Sequence, residues 1–119
     1  MDWSYHNCYD LGWGRHRGRT RPTPGNHDWD AAAGAPYFSY FGVNAGPSGL
    51  GYFSYDLGSW HIVSLNSNVP AGEGSAQIAW LAVRATGRLG PARRTRLAIL
   101  CRRDWRRQPL PAEESPAEQ

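Results

Sequence analysis

Lysine is missing from this 119-residue chain, so every one of its 13 basic side chains is an arginine. Cysteine is scarce. Cys8 and Cys101 are too few for a disulfide framework and form no Cys-x-x-Cys pair, so free thiols are expected. No apolar run reaches the roughly 18 residues of a transmembrane helix, which excludes a spanning helix, and no membrane partner is expected. Met1-Asp2-Trp3-Ser4-Tyr5-His6 has neither a basic start nor an apolar stretch, so the chain as given is expected to carry no signal peptide; the compartment is not legible. Aromatic residues are abundant: 6 Trp, 6 Tyr and 3 Phe demand a core and exclude disorder throughout.

Charge is unevenly spread. Residues 1–30 set Arg15, Arg17, Arg19 and Arg21 against Asp2, Asp10, Asp28 and Asp30 and are neutral. Residues 84–107 hold nine arginines against Asp104, whereas residues 108–119 hold three glutamates. A lysine-free chain rich in Arg, Ala, Gly and Pro fits a GC-rich coding sequence, which accounts for much of the arginine without any nucleic-acid partner.

The first 36 residues read as loop, punctuated by Gly12, Gly14, Gly18, Pro22, Pro24, Gly25, Gly34 and Pro36. So long a loop in a small domain points to function. Residues 37–42 form a short aromatic segment. Tyr52–Asp56 and Trp60–Leu65 read as strands joined by Asp56-Leu57-Gly58-Ser59, a β-hairpin. Trp60, Ile62 and Ser64 share one face of the second strand and His61, Val63 and Leu65 the other, as in a strand buried on both sides. Ser75 is a candidate N-cap for a helix with Ile78, Leu81, Ala82 and Ala85 on one stripe, ending at Gly87 or Gly90 with Pro91. Leu97–Leu100 reads as a further strand. Hairpin, helix and strand in that order predict an α/β layer, with disorder from about Gln108 onward.

Gly25-Asn26-His27-Asp28 is the segment with coherent chemistry. The Asn amide oxygen can ligate a metal, and the imidazole can donate a proton or bind an anionic oxygen. Asp can orient such a ring, and Gly allows a tight turn. Arg15, Arg17, Arg19 and Arg21 alternate, so an extended backbone would place a guanidinium row on one face; a solvated loop is the plainer expectation. His6 and His16 are expected at the surface and His61 as a satisfied core histidine.

Several landmarks fall in order: Cys8-Tyr9-Asp10, Trp13-Gly14-Arg15-His16, Arg19-Thr20-Arg21-Pro22 and Gly25-Asn26-His27-Asp28. Tyr37–Gly42, Tyr52–Gly58, Trp60–Ser67, Gln77 and Trp80-Leu81 follow. In these the chain resembles the calcineurin-like metallophosphoesterase superfamily, particularly its bacterial purple-acid-phosphatase-like branch, from about Cys8 to about Leu100. The resemblance implies an α/β fold of helices flanking a β-sandwich, here an incomplete slice of it, and hydrolysis of a phosphate-ester substrate at a centre of two Fe, Mn or Zn ions. It implies Asn26 as a metal ligand, His27 as the catalytic group that protonates the leaving oxygen or stabilises transition-state charge, and Asp28 as its catalytic partner, orienting the ring.

The rest of the family's pattern is not spelled out. Asp-x-His and Gly-Asp are expected before Cys8, where the seven residues present spell neither. His-His is expected after residue 100, where Cys101-Arg102-Arg103 stands, and no histidine follows His61. One neutral Asn cannot hold two divalent cations. Residues 1–100 are therefore expected to be a partial domain and 101–119 a divergent, disordered tail, as from a shifted reading frame, with little or no activity. The alternative class is an Arg-rich polyanion- or nucleic-acid-binding fragment without catalysis, carried by residues 84–107. It lacks a base-reading motif, and a phosphate ester is the preferred partner.

Overall fold

The computed structural model describes residues 4–86 and 96–101. The expected end of the helix near Gly87 to Pro91 and the expected disorder of the tail lie outside them. The described chain has both helices and strands, so the α/β class holds in its coarse form, with one three-stranded mixed sheet in the order β1-β2-β3. No helix among the described residues is long and apolar enough to cross a membrane.

The strands are β1 (Phe53–Leu57), β2 (Trp60–Leu65) and β3 (Arg96–Cys101). β1 and β2 form the expected antiparallel hairpin, with Phe53 opposite Ser64 and Leu57 opposite Trp60. Gly58 occupies the first position of the two-residue turn at φ +59°, where a type II′ turn calls for glycine. β3 pairs with β2 in parallel, from Trp60 opposite Arg96 to Leu65 opposite Cys101. A parallel neighbour needs a crossover, and the helix Ala76–Thr86 lies within it. β2 is thus the central strand, with His61, Val63 and Ser64 buried.

Apart from the irregular stretch 20–25, the described part of the first 36 residues overturns the loop expectation, and residues 4–45 share one style of local structure. They form a chain of short helical turns: a π-type turn Tyr5–Tyr9, α1 (Asp10–Gly12), a 3₁₀ segment Gly14–Arg19, α2 (Asn26–Asp30), a 3₁₀ turn Ala32–Gly34, α3 (Ala35–Phe41) and a 3₁₀ turn Gly42–Ala45. The aromatic segment 37–42 belongs largely to α3, which carries Pro36 in its first turn, where proline is well suited. None of these turns would hold alone, because so short a helix does not repay its nucleation. Ring packing holds them. Tyr37, Tyr40, Phe41 and Ala45 form a buried cluster against which Tyr5, Tyr9 and Phe38 pack. Tyr5 stacks on Tyr40 at 4.9 Å, and Tyr9 meets Tyr40 and Phe41 edge-on at 5.7 and 5.6 Å.

The crossover helix is α4 (Ala76–Thr86). Ser75 caps it as expected, its Oγ accepting from the Ile78 N–H at 3.3 Å. The buried face differs from the expected stripe. Gln77 is the buried position, Ile78, Leu81 and Ala85 are half-buried, and Ala82 is exposed. The reason is polar. Gln77 Oε1 accepts from the Asn66 N–H at 2.7 Å, and Gln77 Nε2 donates to the Asn66 carbonyl at 3.0 Å. One side-chain amide so satisfies both backbone groups of the residue that follows β2.

Candidate functional site

The segment Arg21–Gly25 is held at nearly every residue. Arg21 donates to the Asn44 side chain, the Tyr37 hydroxyl donates to the Pro22 carbonyl at 3.0 Å, and Thr23 and Ser64 hydroxyls lie 2.8 Å apart. Asn68 Nδ2 donates to the Gly25 carbonyl at 3.3 Å. Ser64 lies near the carboxyl end of β2 and Asn68 just beyond it, so these bonds bring the turn at Gly25 to that end of the parallel pair β2–β3. Ligands of open α/β sheets bind at such strand ends.

The local fold of the turn follows from its composition. Gly25 is extended, with φ −89° and ψ 176°, and α2 starts at Asn26. Asp28, third in the helix, accepts the Gly25 N–H through Oδ2 at 2.8 Å, an acid caring for an orphan donor at a helix start. Its other oxygen, Oδ1, accepts from the Tyr5 hydroxyl at 2.5 Å. Both oxygens of Asp28 are therefore engaged, and the expected Asp28–His27 pair is corrected. His27 instead sets Nδ1 3.6 Å from Asp30 Oδ2, with side chains 81% and 61% exposed. A loose, solvated pair of this kind orients a ring weakly. Asn26 is half-buried in the first turn of α2.

An open cleft of about 610 Å³ adjoins the turn, lined by Tyr5, Cys8, Tyr9, His27, Asp28 and Pro36 among others. Cys8 is a free, exposed thiol. Burial raises the Tyr37 hydroxyl well above the ordinary phenol range, and the Asp28 carboxylate adds to the rise. Tyr37 is thus a neutral donor to Pro22, a positioning role.

Among the described residues no three or more His, Cys, Asp or Glu side chains are placed to hold a metal ion. Asp28, the carboxylate nearest Asn26 in sequence, already accepts two hydrogen bonds. Among the described residues the donor set does not fit two cations.

The arginine row on one strand face is also corrected. Residues 14–19 are 3₁₀ helix, which rotates alternate residues apart. Arg17 lies over the Tyr40 ring at 5.1 Å and Arg21 over Tyr55 at 5.7 Å, while Arg15 and Arg19 converge on His16. From residues 84–107, Arg84 and Arg96 lie over Trp80 and Trp60 at 5.8 and 5.5 Å. The other arginines of that stretch lie outside the described residues. His61 is buried as expected, with Nδ1 2.7 Å from Asp56 Oδ1, yet its Nε2 is buried without a partner, so it is only half satisfied.

The polar frame around Asn66 carries no role legible in the sequence. Asn66 Nδ2 donates to the Leu50 carbonyl at 3.1 Å, and Asn66 Oδ1 accepts from the Asn68 backbone and side-chain amides at 3.0 and 2.9 Å. Asn66, Asn68 and Gln77 thereby couple α4 and β2 to Gly25. Three polar residues, Asn66-Ser67-Asn68, directly after an apolar strand were the available signal. No family model matches this chain, and neither a curated protein nor a solved structure matches it.

Proposed function

We propose that this chain carries the amide-and-imidazole turn of a phosphoester-hydrolase domain, the calcineurin-like metallophosphoesterase slice that its motif order resembles, and that it does not turn over phosphate esters by itself. The observation that supports this reading is the seat of Gly25-Asn26-His27-Asp28. The turn is bound through Thr23, Gly25 and Asn68 to the carboxyl end of the central strand, with His27 left exposed beside an open cleft. In that position Asn26 offers a neutral oxygen and His27 a proton donor to an anionic ester. Asp28 keeps the turn folded rather than tuning the ring.

The inactivity follows from donor count. Four histidines are spread along the chain and no Asp-x-His or His-His occurs, and among the described residues the charge that two cations need for binding is not assembled. Purified protein is expected to hydrolyse p-nitrophenyl phosphate no faster than buffer with Mn²⁺, Zn²⁺ or Fe³⁺. Metal-dependent turnover that vanishes in His27→Ala would overturn the inactivity. The kinship itself is tested in the flanking DNA. Asp-x-His and Gly-Asp encoded upstream, with His-His in another frame downstream, are the expected result; flanks that encode neither would sink the kinship.

A further inference from the structure

Arg15, His16 and Arg19 meet on the 3₁₀ segment Gly14–Arg19. Arg15 Nε lies 3.2 Å from His16 Nε2, and the Arg19 guanidinium lies 2.7 Å from His16 Nδ1. A guanidinium can only donate, and a neutral imidazole has a single unprotonated nitrogen. The ring therefore accepts from one arginine at most, and the other faces an N–H. A protonated ring would satisfy neither. Three donor groups converge with one acceptor between them.

Among the described residues no counter-charge relieves this cluster. Among the described residues the ion pairs all involve histidine, and no arginine lies within ion-pairing distance of a carboxylate. Asp10, the acid nearest in sequence, accepts from the Tyr40 hydroxyl and pairs with His6 at 3.5 Å. The neighbouring arginines are committed elsewhere, Arg17 over Tyr40 and Arg21 over Tyr55. The half-buried ring is held in place: the Thr20 hydroxyl donates to the His16 carbonyl at 2.8 Å, and the Trp13 ring lies tilted against the imidazole at 6.1 Å.

We propose that Arg15, His16 and Arg19 form a binding site for a phosphate dianion, either inorganic phosphate or the terminal group of a phosphomonoester. Two guanidinium forks and one imidazole N–H match a tetrahedral group that offers several acceptor oxygens and two negative charges. A bound dianion would accept from both arginines at once and release the ring from its double contact. The assignment uses none of Asn26, His27 or Asp28, so it stands apart from the phosphoesterase reading.

The test is NMR titration of the His16 ring resonances with phosphate, methyl phosphate, sodium chloride of matched ionic strength, and a single-stranded oligonucleotide. Saturable shifts at millimolar phosphate, absent with chloride, are expected. Equal binding of methyl phosphate assigns the site to phosphomonoesters, and binding of phosphate alone assigns it to the free anion. Arg15 and Arg19 are exposed, so Arg15→Gln/Arg19→Gln is expected to keep its melting midpoint while losing affinity by about tenfold or more. Arg17→Gln removes one charge from the same turn and is expected to leave phosphate affinity nearly unchanged. The proposal is overturned if chloride shifts the ring equally, if phosphate causes no saturable shift, or if Arg17→Gln costs as much as the double variant. It is also overturned if the oligonucleotide binds more tightly than phosphate with a steep salt dependence, which would mark a nucleic-acid surface.

Discussion

The two halves of this molecule are built on different physics. Residues 4–45 are short helical turns joined by tyrosine rings and by tyrosine hydroxyls on carboxylates: Tyr5 on half-buried Asp28 and Tyr40 on exposed Asp10. Residues 52–86 and 96–101 are a sheet and one longer helix, locked by buried amides that serve the backbone. The first half depends on aromatic packing and on phenol protonation, and the second on backbone hydrogen bonds shielded from water. Agents that act on one should leave the other nearly intact. The candidate turn belongs to the first half but is pinned to the second through Thr23, Gly25 and Asn68.

The hardest blow to the sheet half is Gln77→Ala. It strands the buried N–H and carbonyl of Asn66, at a cost of about 3 kcal/mol, readable as a lower denaturant midpoint and faster hydrogen exchange at Asn66. If the stability loss is no larger than that of a surface alanine, the amide lock is not what holds α4 to β2.

Alkali is the corresponding probe of the aromatic half. Burial, reinforced by the Asp10 carboxylate, pushes the Tyr40 hydroxyl up to about 12, and Tyr37 is raised too. A phenol whose folded value exceeds its unfolded value of 10.0 contributes stability that is complete below that pH. That contribution is lost as pH rises from about 10 toward 12. Melting midpoints should fall across this window, and Tyr40→Phe should flatten the fall. Acid acts on the partner in the opposite sense: the Tyr40 hydroxyl, the largest influence, holds the Asp10 carboxyl below its usual range, and that contribution is lost as pH drops below about 4.

Tyr5→Phe sharpens the comparison at the seam. It removes the hydroxyl from Asp28 and is expected to cost about 1 kcal/mol, while the Gly25 N–H bond remains. An unchanged melting midpoint would mean that Tyr5 contributes its ring alone. The smallest effect is a gain. Ala33 sits at φ +50°, a left-handed conformation that suits glycine, so Ala33→Gly should stabilise by about 0.5 kcal/mol in thermal unfolding.

Legibility in the sequence divides along the same line. The hairpin, the Ser75 cap and the strand containing Leu97–Leu100 were readable because short aromatic, β-branched or apolar runs, a turn glycine and a capping hydroxyl act within a few residues of one another. The helical turns of residues 4–45 were not. Their glycines and prolines spell loop, and the partners that make them helical are rings some thirty positions away, Tyr5 and Tyr9 on Tyr40 and Phe41. The candidate turn was found from its letters, yet the partner of Asp28 was misjudged. Adjacency in sequence suggested His27, but the bonds go to the Gly25 backbone and to Tyr5. Gln77 was placed on the helix without a role, because a buried polar residue gives no periodic signal.

Local chemistry along the chain was enough to decide where the hairpin turns, where the helix after it begins and which turn offers an amide and an imidazole. Folding alone decided what those groups face. Asp28 was drawn onto the Tyr5 hydroxyl, and Gln77 was drawn onto the backbone beyond β2. A hydrogen bond or an ion cluster is set by which groups meet in space, and closure of long loops brings together residues that no short-range pattern relates.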